Sequence, residues 1–320
     1  MKKLIIGAMC FTLLLSGCSK KSETLMPYQA SEEVQATTVR SYVNASAADF
    51  LSNTISVVME EENHATNSEI TAQSALLIND TTQEVLYANS VYDRIYPAST
   101  TKLLTALVAM KYAKATDLVV VSEDNAGITT FGAKLCNFKK GDTLTMETLL
   151  NCLLVYSGND AAIAIAEHIA GSEEAFVKMM NEEAALLGAT GTHFTNPHGL
   201  HDPNHYTTAY DMYLIFKACL EYEEFLPMIQ QTTYTAKITD VDGKVKMVPY
   251  ESTNMFLLGT MDTPEGVTVF GGKTGSTSFA GDCLILYSTS KAGEGYISAI
   301  FKADGKTSLY EQQATLLKME

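Results

Sequence analysis

The sequence contains no tryptophan, and its only arginines are Arg40 and Arg94. Its 22 Lys and Arg stand against 37 Asp and Glu, which gives a formal net charge of -15. Binding to nucleic acid or to an anionic surface through bulk attraction is therefore not expected. Any site for an anionic group must create a local positive field with lysines. At 320 residues the chain can bury a sizeable core.

The N-terminus carries an apolar run that is too short to cross a bilayer as a helix. Met1-Lys2-Lys3 precede the apolar residues 4–15, a pattern typical of a secretory signal. The run ends in Leu15-Ser16-Gly17-Cys18, which resembles a bacterial lipobox. We therefore expect a signal peptide at 1–17, lipidation of Cys18, and a membrane-anchored lipoprotein on the extracytoplasmic side of the cell envelope. An ordinary signal peptide whose cleavage site contains a cysteine is the alternative.

Cysteine and histidine patterns give little support to a metal site. No C-x-x-C pair occurs, and four of the six histidines lie close together without an H-E-x-x-H arrangement. We predict loop histidines and no metal, with a zinc peptidase as the alternative. The clustered histidines are His193, His198, His201 and His205.

Export permits disulfides, but most of the mature cysteines lie in apolar segments, where a free thiol behaves as a small core hydrophobe. We therefore predict buried thiols rather than bridges. The cysteines concerned are Cys136, Cys152, Cys219 and Cys283.

Residues 19 to about 68 are rich in Ser, Thr, Ala, Glu and Asn, which predicts a lipid-anchored polar tether over 18–70. From residue 71 strand and helix patterns replace this composition, so we place one domain at 71–320. Strands are predicted at 74–78, 84–87, 267–270, 283–287 and 296–301. Helices are predicted at 146–155, 161–170, 173–187, 209–220 and 308–318.

The order of these elements is sheet, helical block, sheet. The simplest architecture that accommodates this order of elements is of the α/β class (α+β). An antiparallel sheet is built from both ends of the chain and flanked by helices, with a mostly helical lobe inserted at about 105–235.

Ser99 and Lys102 lie three positions apart at the start of a predicted helix, so their side chains share one face. A serine hydroxyl becomes a good nucleophile only when a base takes its proton. Lys102 can be that base if burial, or a nearby cation such as Lys273, keeps it partly neutral. The alternative is a solvent-exposed helix in which a serine and a lysine lie three positions apart without a catalytic role.

Two further motifs follow in order. Ser157-Gly158-Asn159 fits the turn between two predicted helices, where Ser157 could relay a proton and Asn159 could bind an amide. An ordinary helix-capping turn without a catalytic role would have the same sequence pattern.

Lys273-Thr274-Gly275 continues a predicted strand. There Lys273 supplies charge, Thr274 can bind a carboxylate, and Gly275 lets a substrate backbone approach the strand.

The three motifs in this order, with their flanks, resemble the serine D-alanyl-D-alanine carboxypeptidases, the low-molecular-mass penicillin-binding proteins, over about 71–318. The flanks that carry the resemblance are Tyr96 to Thr105, Tyr156 to Ala162, Asn196 to Leu200 and Thr207 to Asp211.

The resemblance implies a β-lactamase/transpeptidase-like fold and hydrolysis of peptidoglycan stem peptides ending in D-Ala-D-Ala, without a cofactor and with β-lactams as covalent inhibitors. It implies that Ser99 is acylated and that Lys102 is its base. Ser157, Asn159 and Lys273 would form a second wall, and Thr274 would contact the terminal carboxylate. Backbone N–H groups of Ser99 and Ser276 would form the oxyanion hole.

The chain departs from this family in one respect that concerns the substrate. Members often carry an arginine beyond the Lys-Thr-Gly strand that helps to hold the substrate carboxylate, whereas this chain has none after Arg94. Lys302 and Lys306 are the candidate replacements. A serine β-lactamase and a catalytically silent, wall-binding lipoprotein remain the alternative functions.

The lipobox-like sequence yields a direct prediction. Replacing Cys18 with Ala should leave the protein unlipidated, while the domain that carries the three motifs still folds. Membrane fractionation and the mass of the N-terminal peptide measure this. An unchanged N-terminal mass and unchanged membrane association in the variant would contradict lipidation at Cys18.

Overall fold

Strands from both ends of the described chain, residues 54–320, pair in one antiparallel sheet in this computed structural model. Its five strands are β1 (Ser74–Asn79), β2 (Glu84–Asn89), β7 (Thr268–Thr277), β8 (Gly281–Thr289) and β9 (Gly295–Ala303), numbered along the chain. They lie in the order β2-β1-β9-β8-β7. The fold class predicted above is confirmed, because β1 near the start of the domain pairs directly with β9 near its end.

A second sheet has two of its strands inside the segment that we predicted to be mostly helical and its other two at and beyond the end of that segment. Its strands are β3 (Leu118–Val120), β4 (Thr143–Thr145), β5 (Thr233–Thr239) and β6 (Val245–Glu251), in that order and antiparallel. The prediction for 105–235 was incomplete for a physical reason. Strands of three residues are too short to show a period, and most residues of β5 and β6 are at least partly exposed, so no apolar run marks them.

The helices predicted in the middle of the chain are present. They are α1 (Lys102–Tyr112), α2 (Met146–Asn151), α3 (Asn159–Ala170), α4 (Glu173–Leu186) and α5 (Ala209–Leu220), and the helix predicted at the end of the chain is α7 (Lys306–Leu317). One short helix, α6 (Phe225–Ile229), was not predicted. A π-helical turn, Cys152–Tyr156, follows α2 directly. Residues 102–110 of α1 are all buried, so this helix forms the centre of the core and carries its first residue, Lys102, into the interior.

The segment before β1 packs against the domain. Ser56 N–H donates to the Tyr213 hydroxyl at 3.0 Å, and Val58 is buried. The compact unit therefore begins at Thr54, ahead of the boundary that we placed at residue 71. The signal peptide 1–17, Cys18 and the first part of the predicted tether, 18–53, lie outside the described residues.

No helix within residues 54–320 has the length and apolar character needed to cross a membrane. The cysteines predicted to be buried thiols, Cys136, Cys152, Cys219 and Cys283, are all buried and free.

Candidate active site

The three sequence motifs meet at one cleft with a volume of about 230 Å³. Ser99 lies in a 3-10 turn, Ala98–Thr101, immediately before α1, and Asn159 is the first residue of α3. Thr274, Gly275 and Ser276 lie on β7, which is the edge strand of the large sheet. Of the predicted site residues, Ser99, Ser157, Asn159, Thr274, Gly275 and Ser276 line the cleft. Lys102 and Lys273 lie just beneath its surface, fully buried.

The Lys102 ammonium group is held by three oxygen acceptors and by no carboxylate. Its Nζ donates to Ser99 Oγ at 3.0 Å, to Asn159 Oδ1 at 2.6 Å and to the His198 carbonyl oxygen at 2.6 Å. Burial lowers the pKa of Lys102 from 10.5 to about 7. A substantial neutral fraction therefore exists near neutral pH, within hydrogen-bond distance of the serine hydroxyl.

Lys273 is the second fully buried lysine. Its Nζ donates to Ser157 Oγ and to the Thr274 carbonyl oxygen, both at 2.8 Å. Burial, and then the positive charges of Lys102 and Lys134, hold the pKa of Lys273 well below its usual value. Each buried lysine thus contacts one serine of the site, Lys102 contacting Ser99 and Lys273 contacting Ser157, and the charge of Lys102 disfavours protonation of Lys273.

The turn that carries Ser157 has a special backbone. The π-helical turn ends at Tyr156, and Ser157 adopts the left-handed conformation, with φ of 73°. A Cβ at Gly158 would collide with the Cys136 sulfur, so only glycine fits between the two polar residues of the motif. Asn159 N–H donates to the Lys134 carbonyl oxygen at 2.8 Å, which ties this turn to the neighbouring loop. The turn predicted between two helices is confirmed.

Asp160 fixes that loop from inside. Its side chain is buried and accepts hydrogen bonds from the backbone N–H groups of Cys136, at 2.8 Å, and Phe138, at 3.3 Å. Burial raises the pKa of this carboxyl, although the backbone donors oppose the shift. The aspartate therefore anchors residues 136–138, which directly follow the cleft-lining residues 132–134.

Gly275 allows β7 to lie against the serine turn. A Cβ at this position would come within 2.9 Å of both the Pro97 carbonyl oxygen and Ser99 N. The close approach places the free edge of β7 beside the nucleophile, where its backbone can pair with an extended peptide. The predicted need for glycine at 275 is explained by this contact with the serine turn as well as by room for a substrate.

The clustered histidines have separate roles. The His198 carbonyl oxygen binds Lys102, and His205 Nε2 lies 2.7 Å from Thr101 Oγ1. Burial lowers the pKa of both imidazoles to about 3, so both are neutral at physiological pH. Within residues 54–320, no group of three metal-ligating side chains lies together.

Sequence reasoning missed several residues that line the cleft, among them Thr253, Tyr310 and Lys134. Thr253 Oγ1 lies 2.6 Å from Thr274 Oγ1, so two hydroxyls stand side by side, and Tyr310 Oη supports them by donating to the Thr253 carbonyl oxygen at 3.3 Å. Lys134 also lines the cleft. Thr253 follows β6 and Lys134 lies in a long loop, and neither position belongs to a motif that could have revealed it.

Residues 58–305 match the family model described as D-alanyl-D-alanine carboxypeptidase. The chain belongs to this family. It is 36% identical over 258 residues to D-alanyl-D-alanine carboxypeptidase DacF of Bacillus subtilis, covering 78% of this chain and 61% of DacF. It is 32% identical over 227 residues to DacB2 of Mycobacterium tuberculosis, covering 69% and 72% respectively.

The fold comparison agrees with the family. The DD-transpeptidase of Streptomyces K15 superposes with a TM-score of 0.73 at 24% identity, covering 80% of this chain and 98% of that chain. Penicillin binding protein 5 from Haemophilus influenzae gives 0.68 at 29% identity, covering 79% and 72%. The chain spans about three fifths of the length of the first two curated relatives.

The two buried lysines generate a prediction that separates their roles. Lys102→Arg should nearly abolish acylation by a labelled penicillin, because a guanidinium cannot give up its proton. A positioned general base contributes roughly 10²–10⁴ in rate. Lys273→Arg should retain much of the rate, because Lys273 is not the proton acceptor and an arginine can still donate a hydrogen bond to Ser157, although the planar group fits the site less well.

Circular dichroism of both variants provides the control for folding. Equal acylation rates in two folded variants would show that Lys102 is not the base.

Proposed function

We propose that this protein is a serine D-Ala-D-Ala carboxypeptidase that removes the terminal D-Ala of peptidoglycan stem peptides. The observation that carries the proposal is the 3.0 Å contact between Lys102 Nζ and Ser99 Oγ in the cleft, made by a lysine whose pKa burial lowers to about 7. A neutral amine at that position can accept the serine proton directly.

The reaction follows from the positions of these groups. Neutral Lys102 takes the Ser99 proton, and Oγ bonds to the carbonyl carbon of the penultimate D-Ala. The resulting oxyanion is stabilised by the backbone N–H groups of Ser99 and Ser276. Ser157, hydrogen-bonded to Lys273, passes a proton to the departing amine and is itself reprotonated with the proton that Lys102 took from Ser99, so that Lys102 is neutral again before hydrolysis. The C–N bond breaks, D-Ala leaves, and the acyl group remains as an ester on Ser99.

Hydrolysis completes the cycle. Water attacks the ester carbonyl and gives up a proton to Lys102, which returns a proton to Ser99 Oγ as the ester bond breaks. The products are the shortened stem peptide, with a free carboxylate, and regenerated enzyme. A β-lactam ring opened by Ser99 would form the same type of ester, and we therefore propose β-lactams as covalent inhibitors.

The proposal also includes the cellular location of the reaction. The N-terminal pattern supports export and anchoring through a lipid on Cys18, with residues 54–320 held at the outer face of a membrane. Peptidoglycan lies outside the cytoplasm, so such an anchor would keep the enzyme near its substrate.

The experiment is D-alanine release from a muropeptide that ends in D-Ala-D-Ala, combined with mass spectrometry after exposure to penicillin. We expect release of D-alanine and a lasting penicillin adduct on Ser99. Both should vanish in Ser99→Ala and persist in Ser122→Ala, which changes an exposed serine.

Each failure has its own meaning. Acylation of Ser99 without D-alanine release would refute the carboxypeptidase activity. Rapid hydrolysis of penicillin without a lasting adduct would favour a β-lactamase. No adduct and no release would favour a silent wall-binding protein.

A further inference from the structure

Two lysines outside the three motifs also line the cleft. Lys134 lies in the loop anchored by Asp160, and Lys306 is the first residue of α7. They come from distant parts of the sequence and converge on the cavity that contains Ser99 and Thr274. In a chain with a net charge of -15, this concentration of positive charge requires an explanation.

Neither ammonium group is neutralised by a carboxylate. Among the ion pairs of residues 54–320, none includes Lys134 or Lys306. Lys134 Nζ instead lies 4.2 Å above the Tyr156 ring. Asp282 also lines the cleft but is not within ion-pair distance of either lysine. Both cations therefore keep their bonding capacity for a ligand.

The two charges act on each other. Burial lowers the pKa of Lys134, and the positive charge of Lys306 lowers it further, against weaker opposing effects of Cys136 and Glu251. Like charges at short range cost free energy, and an anion between them would remove that cost. The cleft thus has an electrostatic preference for a negative group.

Hydroxyl donors stand in the same cleft. Thr253 and Thr274 lie side by side at 2.6 Å, and both line the cavity together with the two lysines. Hydroxyls and ammonium groups together are a suitable donor set for a carboxylate. Lys302, the other candidate from the sequence, does not line the cleft.

We propose that Lys134 and Lys306 together bind the free carboxylate at the C-terminal end of the substrate peptide, beside Thr274. This inference rests on the proposed function. It assigns the recognition that a single arginine often provides in this family to two lysines from separate elements. One of them, Lys134, lies in a loop that carries no sequence motif.

The test compares Lys134→Gln, Lys306→Gln and the double variant with Lys302→Gln as the matched control. For release of D-alanine from a peptide ending in D-Ala-D-Ala, we expect KM to rise on the order of tenfold in each single variant, since a charge-assisted hydrogen bond is lost. The double variant should be affected more strongly, and kcat should change little. Lys302→Gln should behave as wild type, and Lys306→Arg should restore most of the affinity.

A second readout separates carboxylate binding from indirect effects on Lys102. Acylation is measured with a β-lactam carrying a free carboxylate and with the methyl ester of the same compound. The variants should lose rate with the acid and match wild type with the ester. Equal loss with both compounds would show that the lysines act on folding or on the base, and would overturn the proposal.

Failure of this inference differs from failure of the proposed function. An active wild type whose Lys134 and Lys306 variants bind the acid normally would refute the carboxylate site alone. A wild type that neither releases D-alanine nor forms a penicillin adduct would refute the function on which it rests.

Discussion

The site depends on the burial of two lysines without a carboxylate partner. Lys102 and Lys273 are fully buried, and their ammonium groups donate only to neutral oxygens. Taking a charge out of water without an opposite charge is costly, so the neutral form gains population. A carboxylate beside Lys102 would have made the ion pair stable and the amine useless as a base. The neutral acceptors therefore matter as much as the lysines themselves.

The fold supplies this environment through close contacts of backbone segments. The buried helix α1 carries Lys102 into the core, and the edge strand β7 brings Lys273 and its own backbone against the serine turn. Gly275 and Gly199 are required there, because a Cβ on either would press against residues 97–99. Gly199 also has φ of +86°, which a side chain would strain. These glycines hold the nucleophile, the base and the substrate edge together.

The three motifs could be predicted because each places its functional side chains close together in the sequence. Ser99 and Lys102, for example, are only three positions apart and their side chains lie on one face. The strands at both ends were predictable from apolar runs. Thr253 and Lys134 could not be predicted as site residues. The tertiary fold brings Thr253 beside Thr274 and Lys134 into the cleft, and neither position leaves a periodic pattern in the sequence. The strands β3 and β4 were not predicted for a related reason, because three residues are too few to show an alternation of apolar and polar side chains.

The most direct test of this account is the pH dependence of Ser99 acylation by a penicillin. Only neutral Lys102 can take the serine proton, and the protonated form dominates below its pKa. Because burial lowers that pKa to about 7, the acylation rate should rise with pH and level off above that value. A rate that is independent of pH through this range, or one that rises only near the ordinary lysine pKa of 10.5, would contradict the central role of lysine burial.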